Sequence, residues 1–216
     1  TKRVTTIIRH AMQRNGDKVL VVTGVTENEG KSTFAANMAL SITQKDYKVL
    51  IIDGDLRKPA LHKIFNHEGA RGYSFADIVK GKTDFSKIPV KITDNLYCVH
   101  QFRAVADSSS RISHPRVEKF MEYARENFDF IVIDTSPVCF TSDFEGFLKH
   151  GDFQAINVTI PYKKAVIPYL SSLSERAKKV LSEVDFIAAE DTRNTLKLLS
   201  CLDIKKELVS YHEHNK

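Results

Sequence analysis

The sequence predicts an α/β fold, a doubly wound and mostly parallel β-sheet flanked by helices. Three observations carry this. Lys18-Val-Leu-Val-Val-Thr23 is a β-branched apolar strand that runs into a polar loop, then Gly30-Lys-Ser-Thr33, then a helical run from Phe34 to Gln44. Lys48-Val-Leu-Ile-Ile-Asp53 and Asp129-Phe-Ile-Val-Ile-Asp134 are apolar runs that each end in aspartate. Unbroken Val/Ile/Leu runs, rather than alternating ones, suit strands buried on both faces of a parallel sheet. In such a sheet ligands bind outside the carboxyl ends of the strands, so the loop and both aspartates aim at one crevice.

In chain order, Arg3 to Arg14 is a helix candidate that stops at Asn15-Gly16, a turn signal. Lys18–Thr23 is the first strand and residues 31–44 the helix after the loop. The second strand ends at Asp53, and Pro59, at a first helical position, opens a helix over Ala60–Phe65. Residues 66–112 are the least regular. They hold short helical segments around Ser74–Lys80, a strand at Asn95–His100 and a polar loop with Ser108-Ser-Ser110. An insertion over one end of the sheet is expected there. Pro115–Asn127 is an amphipathic helix that delivers the third strand, and Ala155–Pro161 is a further buried strand.

The composition sets bounds. At 216 residues and 42% hydrophobic, the chain suits one α/β domain with a sizeable core. A net charge of +5 permits an anionic partner but selects none. Cys98, Cys139 and Cys201 are scattered without metal-site spacing, as reduced core thiols are. No apolar run is long enough to span a bilayer and no signal peptide opens the chain, so a cytoplasmic protein is expected. The start at Thr1 rather than Met suits a chain cut from something longer.

The loop before the first long helix is a phosphate-binding loop of the P-loop NTPase kind. Backbone N–H groups there and the open end of the helix favour an anion. Lys31 adds a point charge for β/γ-phosphates, the Ser32 hydroxyl is placed for Mg²⁺, and Gly30 keeps a Cβ out of the way. The match is imperfect: Val25 stands where the usual spacing has glycine, Gly24 is one residue early, and Glu27 brings negative charge near the phosphates beside Asn28. Ordinary helix capping by Ser or Thr is the competing reading of Gly-Lys-Ser alone.

Together these pieces resemble the bacterial protein-tyrosine kinases of capsule and exopolysaccharide export, within the wider P-loop ATPase class that includes partitioning proteins. The resemblance spans about residues 15–165. It rests on Glu29-Gly-Lys-Ser-Thr33, on Leu50-Ile-Ile-Asp53-Gly-Asp55-Leu-Arg57-Lys-Pro59 and on Phe130-Ile-Val-Ile-Asp134-Thr-Ser-Pro137. Thr26, in place of the extra lysine of partitioning ATPases, favours the kinase branch. The resemblance implies an ATP-dependent, autophosphorylating tyrosine kinase at the inner face of the plasma membrane. It implies ATP and Mg²⁺, a membrane-bound polysaccharide co-polymerase as activator, a protein tyrosine as substrate, and no nucleic acid. By this likeness Lys31 and the 27–33 backbone (Glu27, Asn28, Glu29, Gly30, Ser32 and Thr33), with Arg57, bind the nucleotide. Ser32, Asp55 and Asp134 serve Mg²⁺, and Asp53 orients or deprotonates the acceptor hydroxyl. Asp143 matches an acidic position after the third motif, with no role assigned.

Two departures matter. The family's Glu-x-x-Arg-x-x-Arg assembly face is not found around Arg3–Arg14, which leaves homo-oligomerisation without its expected motif. A tyrosine-rich tail is also missing. Only the scattered Tyr162, Tyr169 and Tyr211 stand in that part of the chain, more plausibly packing residues than phosphate acceptors. The alternative function is therefore a P-loop ATPase or nucleotide-gated scaffold that phosphorylates nothing.

The C-terminal text differs. Ser174 to Asn194, Leu198-Leu199 and Ser210-Tyr-His-Glu-His-Asn215 resemble the N-terminal region of a ribosomal-RNA 2′-O-methyltransferase of the tetrapyrrole-methylase superfamily, over about 168–216. The part of that family that binds S-adenosylmethionine would follow residue 216, and Pro168-Tyr-Leu-Ser replaces its opening turn. A truncated fusion inactive in methyl transfer is the minor alternative. Physically the tail reads as helix 169–183, strand Asp185–Glu190, an entry turn at Asp191-Thr-Arg193, helix Thr195–Cys201 and strand Glu207–Tyr211. That β/α rhythm extends a parallel sheet. His212 and His214 share a strand face without a third ligand and read as an exposed end. The expected organisation is a P-loop kinase-like domain at 1–165 and a methyltransferase-like βα extension at 166–216 that completes the same sheet.

Overall fold

The computed structural model describes residues 2–24, 27–28, 30–67, 72–81, 83–137, 155–159, 186–189, 196, 199–200 and 205–210. Among them a helix α1 (Lys2–Asn15) precedes β1 (Val19–Gly24), α2 (Lys31–Thr43) and β2 (Val49–Asp53). The short helices α3 (Leu61–Ile64) and α4 (Phe75–Lys80) and one 3₁₀ turn (Phe85–Lys87) lead to β3 (Val90–Lys91) and β4 (Leu96–Val99). Then come α5 (Ser108–Ile112), α6 (Pro115–Asn127), β5 (Phe130–Asp134), β6 (Ala155–Thr159), β7 (Phe186–Ala189) and β8 (Glu207–Ser210).

The strands form one sheet in the order β3-β4-β2-β5-β1-β6-β7-β8. Every described pairing is parallel except β3 with β4. The apolar runs explain this. In β1, β2 and β5 alternate residues enter different clusters: Val19, Val21, Leu50, Ile52, Ile131 and Ile133 pack with α4 and α6. Leu20, Val22, Val49, Ile51, Phe130 and Val132 pack with α1 and α2. With both faces covered, each strand position must be apolar. The expected doubly wound α/β architecture is the one observed.

Within α2, Ala35, Ala36, Met38, Ala39 and Ile42 are buried, and the small side chains let the helix lie close on the sheet. In α6 the buried set Val117, Phe120, Met121 and Ala124 keeps the i, i+3, i+4, i+7 stripe of an amphipathic helix. Phe120 is fully buried and meets the Phe85 ring edge-on, with centroids 5.5 Å apart. Phe120→Ala is expected to lower the unfolding free energy by about 3–5 kcal/mol, read from the urea midpoint at unchanged slope.

Three sequence expectations need correction. Residues 66–112 are not an insertion over the end of the sheet, because β4 pairs in parallel with β2 and is an integral strand. The two-residue β3 then closes that edge antiparallel, with Pro89 before it and exposed Lys91 on it, both of which discourage further pairing. Ser108-Ser-Ser110 lies in helix α5 rather than a loop, since buried Ile112 draws the segment into the core. The helix after Pro59 begins at Leu61, not Ala60, whose φ of −132° lies outside the helical range.

At the far side, β7 pairs with β6 and β8 with β7, both parallel. Leu199 is buried in the apolar cluster that holds α6, and Leu208 packs against it. Helix 169–183, the Asp191-Thr-Arg193 turn, Asp143, Tyr162, Tyr169, Tyr211, His212, His214, Cys139 and Cys201 lie outside the described residues.

Candidate active site

β1 ends at Gly24, and α2 starts at Lys31 with Gly30 as its cap. Gly30 has φ 78° and Asn28 φ 59°, both left-handed. Left-handed φ favours glycine, so the glycine before Lys31 has a conformational reason. Gly30 makes no side-chain cap bond and the first turn of α2 has no acidic residue. The helix end is therefore open to an anion rather than spent on ordinary capping.

Parallel pairing puts Asp53 of β2 directly beside Asp134 of β5. Both are fully buried. Burial, then the neighbouring negative charge of Asp134, pushes the Asp53 carboxyl well above the usual range. The N–H groups of Ala60 and Leu61 donate to its Oδ2 at 3.2 and 3.0 Å, so Asp53 seats the start of α3. Its Oδ1 has no hydrogen-bond partner among the described residues.

Asp134 is raised to about 7 by burial and by Asp55, while the Ser32 hydroxyl and the Lys31 charge oppose the rise. Ser32 thus faces Asp134, but without full hydrogen-bond geometry, for both Asp134 oxygens are unpartnered among the described residues. Lys31, only 6% exposed, shares this largely desolvated neighbourhood.

Asp55 is held differently. Its Oδ1 accepts from the N–H groups of Arg57 and Lys58 at 3.2 and 3.0 Å and from Ser136 Oγ at 2.8 Å. Ser136 is anchored in turn, its carbonyl accepting from Thr23 Oγ1 at 3.1 Å. No described hydrogen bond uses Asp55 Oδ2.

These elements frame a cavity of about 640 Å³. Glu27, Asn28, Gly30, Lys31, Ser32 and Thr33 line it from the loop and α2, and Asp55 and Arg57 from the β2 end. Lys58, Ala60, Lys63, Ile64, Ser136 and Pro137 complete it. Lys58 forms an ion pair with Glu27 that ties the loop to the 54–60 segment. Asp53 and Asp134 lie behind the lining rather than in it. Of the sequence-predicted nucleotide set, Glu29 alone is outside the described residues.

The chemistry of this donor set suits Mg²⁺. No group of three or more carboxylate, His or Cys ligands converges among the described residues. Mg²⁺ at phosphate sites is commonly held by one or two carboxylates, with phosphates and water filling the rest. The unpartnered oxygens of Asp134, the free oxygen of Asp55 and the Ser32 hydroxyl match that demand.

Sequence reasoning missed Ser136, Lys58, Lys63 and Ile64. The Thr-Ser pair after Asp134 and the Arg57-Lys58 pair after Asp55 were the available signals. It also missed the chain of contacts beside α3, where His67 Nδ1 lies 3.0 Å from His100 Nε2 and Cys98 Sγ 3.4 Å from His100 Nδ1. Burial, then His67 and His62, hold His100 down to about 4, and burial raises the Cys98 thiol.

Residues 17–141 match the profile of an AAA domain. That is more than half of the chain. The chain belongs to this AAA-domain family. Residues 104–182 also match a shikimate dehydrogenase substrate binding domain profile. The two matches overlap over residues 104–141, which include β5. Neither profile supports the methyltransferase likeness of the tail. Tyrosine-protein kinase etk of Escherichia coli K12 is 27% identical over 143 residues, which is 66% of this chain and 19% of that protein. The CapB protein of Staphylococcus aureus is 34% identical over 130 residues, 60% of this chain and 56% of that one. The chain therefore spans about a fifth of the etk length, 19%. The solved kinase domain of Escherichia coli ETK superposes with TM-score 0.68 at 17% identity, over 97% of this chain and 72% of that one. McdA of Cyanothece in complex with ATP has the same TM-score, 0.68, at 15% identity over 91% of this chain and 83% of that one. These two likenesses show the fold.

Proposed function

We propose that the chain is the ATP-dependent protein-tyrosine kinase domain of a protein that regulates capsular or exopolysaccharide synthesis and export. The observation that carries this is the convergence of Lys31, Ser32, Asp55 and Asp134 at the carboxyl ends of β1, β2 and β5. The kinase names of its sequence relatives support it.

Lys31, Gly30, Thr33 and the loop backbone at 27–29 hold the ATP phosphates, with Arg57 beside them. Ser32, Asp55 and Asp134 hold Mg²⁺, which when bound neutralises charge on the phosphates. A tyrosine oxygen forms a bond to the γ-phosphorus, the bond to the bridging oxygen breaks with its electrons leaving on ADP, and the phenolic proton leaves to solvent. Positioning and charge stabilisation supply most of the rate in such a transfer. Asp53 acts from behind the cavity as a positioning residue through α3, since its burial and its bonds to Ala60 and Leu61 keep it from the acceptor.

Residues 1–165 form the kinase-like domain and 166–216 complete its sheet through β7 and β8, without methyl-transfer activity. The protein works at the inner face of the plasma membrane with a membrane-bound co-polymerase as partner. No helix among the described residues is long and apolar enough to cross a membrane. The purified chain with γ-labelled Mg-ATP and a tyrosine peptide is expected to yield labelled phosphotyrosine. Phosphate release without phosphotyrosine selects the second reading, a nucleotide-gated ATPase. The ATP complex of McdA, which shares the fold, supports nucleotide binding in both readings.

A further inference from the structure

The α3 wall of the cavity is built unlike a phosphate site. Lys63 and Ile64 of α3 and its capping residue Ala60 all line the cavity. Ile64 is 37% exposed, one of four large apolar residues left in solvent among those described. A triphosphate gains nothing from an exposed isoleucine, and Pro137 adds further apolar lining. Beside Ile64 stands the Lys63 ammonium, which has no hydrogen bond or ion pair among the described residues. Over the whole lining four cations, Lys31, Arg57, Lys58 and Lys63, face two carboxylates, Glu27 and Asp55. Glu27 is already paired with Lys58.

The geometry points to an acceptor of one class: a tyrosine in an acidic peptide, its ring on Ile64 and Pro137 and a flanking carboxylate on Lys63. This rests on the kinase reading and adds the choice of substrate to it. An aromatic ring needs an apolar platform, and a carboxylate beside it needs an unspent cation. The α3 face offers both within one turn. A basic flank would instead place a second cation beside Lys63 and be repelled.

The test is peptide binding, read by fluorescence anisotropy with and without a non-hydrolysable Mg-ATP analogue. Two labelled peptides carry the same tyrosine, one flanked by glutamates and one by lysines. The glutamate peptide is expected to bind at least tenfold tighter. Lys63→Glu is expected to remove or invert that preference while the affinity for the ATP analogue falls less than tenfold. Ile64→Ser is expected to weaken both peptides, measured in the same way. Equal binding of the two peptides, or a preference retained in Lys63→Glu, overturns the inference. A tenfold loss of nucleotide affinity in Lys63→Glu also overturns it, by placing the lysine on the nucleotide. Glutamate-peptide binding without any label transfer defeats the kinase reading alone. Equal labelling and equal binding of both peptides preserves that reading and defeats this one.

Discussion

Lys31→Met is expected to lower kcat/KM for phosphoryl transfer by about a thousandfold, roughly 4 kcal/mol of transition-state stabilisation. Methionine keeps the length and apolar stem of lysine and deletes only the charge. Because Lys31 is 6% exposed, little solvent screens it, and its attraction for a phosphate oxygen exceeds that of a surface lysine. The substitution acts twice. Lys31 also opposes the rise of Asp134, so without it that carboxyl ionises less readily and holds a cation less well. Thermal melting separates binding from chemistry. A ligand at a hundredfold excess over Kd stabilises by about 2.7 kcal/mol, about 5–10 °C in Tm for a chain of this size. Wild type is expected to show that rise with Mg-ATP and Lys31→Met to show none. An equal rise in both proteins would remove the lysine, and with it the phosphate assignment, from the site.

The parts of the molecule legible in the sequence are those where one physical demand determines the residue type. β1, β2 and β5 were readable because burial on both faces leaves only Val, Ile, Leu and Phe until Thr23, Asp53 and Asp134 mark the exits. Gly30 and Lys31 were readable because a left-handed turn and a phosphate each restrict the choice. The edge of the sheet was not. β3 is two residues long, too short for any period, and its pairing depends on β4, distant from β2 in sequence. Ser108-Ser-Ser110 carries weak helical preference, and only Ile112 in the core makes α5. The division of labour between Asp53 and Asp55 was equally hidden. Two aspartates one residue apart look alike in the chain. Only the fold shows that Asp53 turns its oxygen to Ala60 and Leu61 while Asp55, fixed by Ser136, lines the cavity.

Metal-free protein is expected to lose stability as pH rises from 4 to 8, and Asp134→Asn to lose much of that slope. An ordinary aspartate titrates near 3.8, and in the fold Asp134 is pushed up to about 7. Below the unfolded value both states hold the proton and the group adds nothing to the pH slope. Between the two values the folded chain holds a proton that the unfolded chain has lost, so each increment of pH favours unfolding. For this one carboxyl the loss by pH 8 is on the order of 4 kcal/mol, and the raised Asp53 beside it acts in the same direction. Asparagine keeps the shape and cannot ionise, so at pH 8 with chelator the Asp134→Asn protein is expected to melt higher than wild type. With saturating Mg-ATP the order is expected to reverse. The metal then repays the wild-type carboxylate for the water it lost, and asparagine offers only a neutral oxygen. Melting curves at pH 5 and pH 8, with chelator and with Mg-ATP, provide the four comparisons. If Asp134→Asn is the less stable protein at pH 8 under chelator, the buried carboxylate is structural and the cation belongs elsewhere.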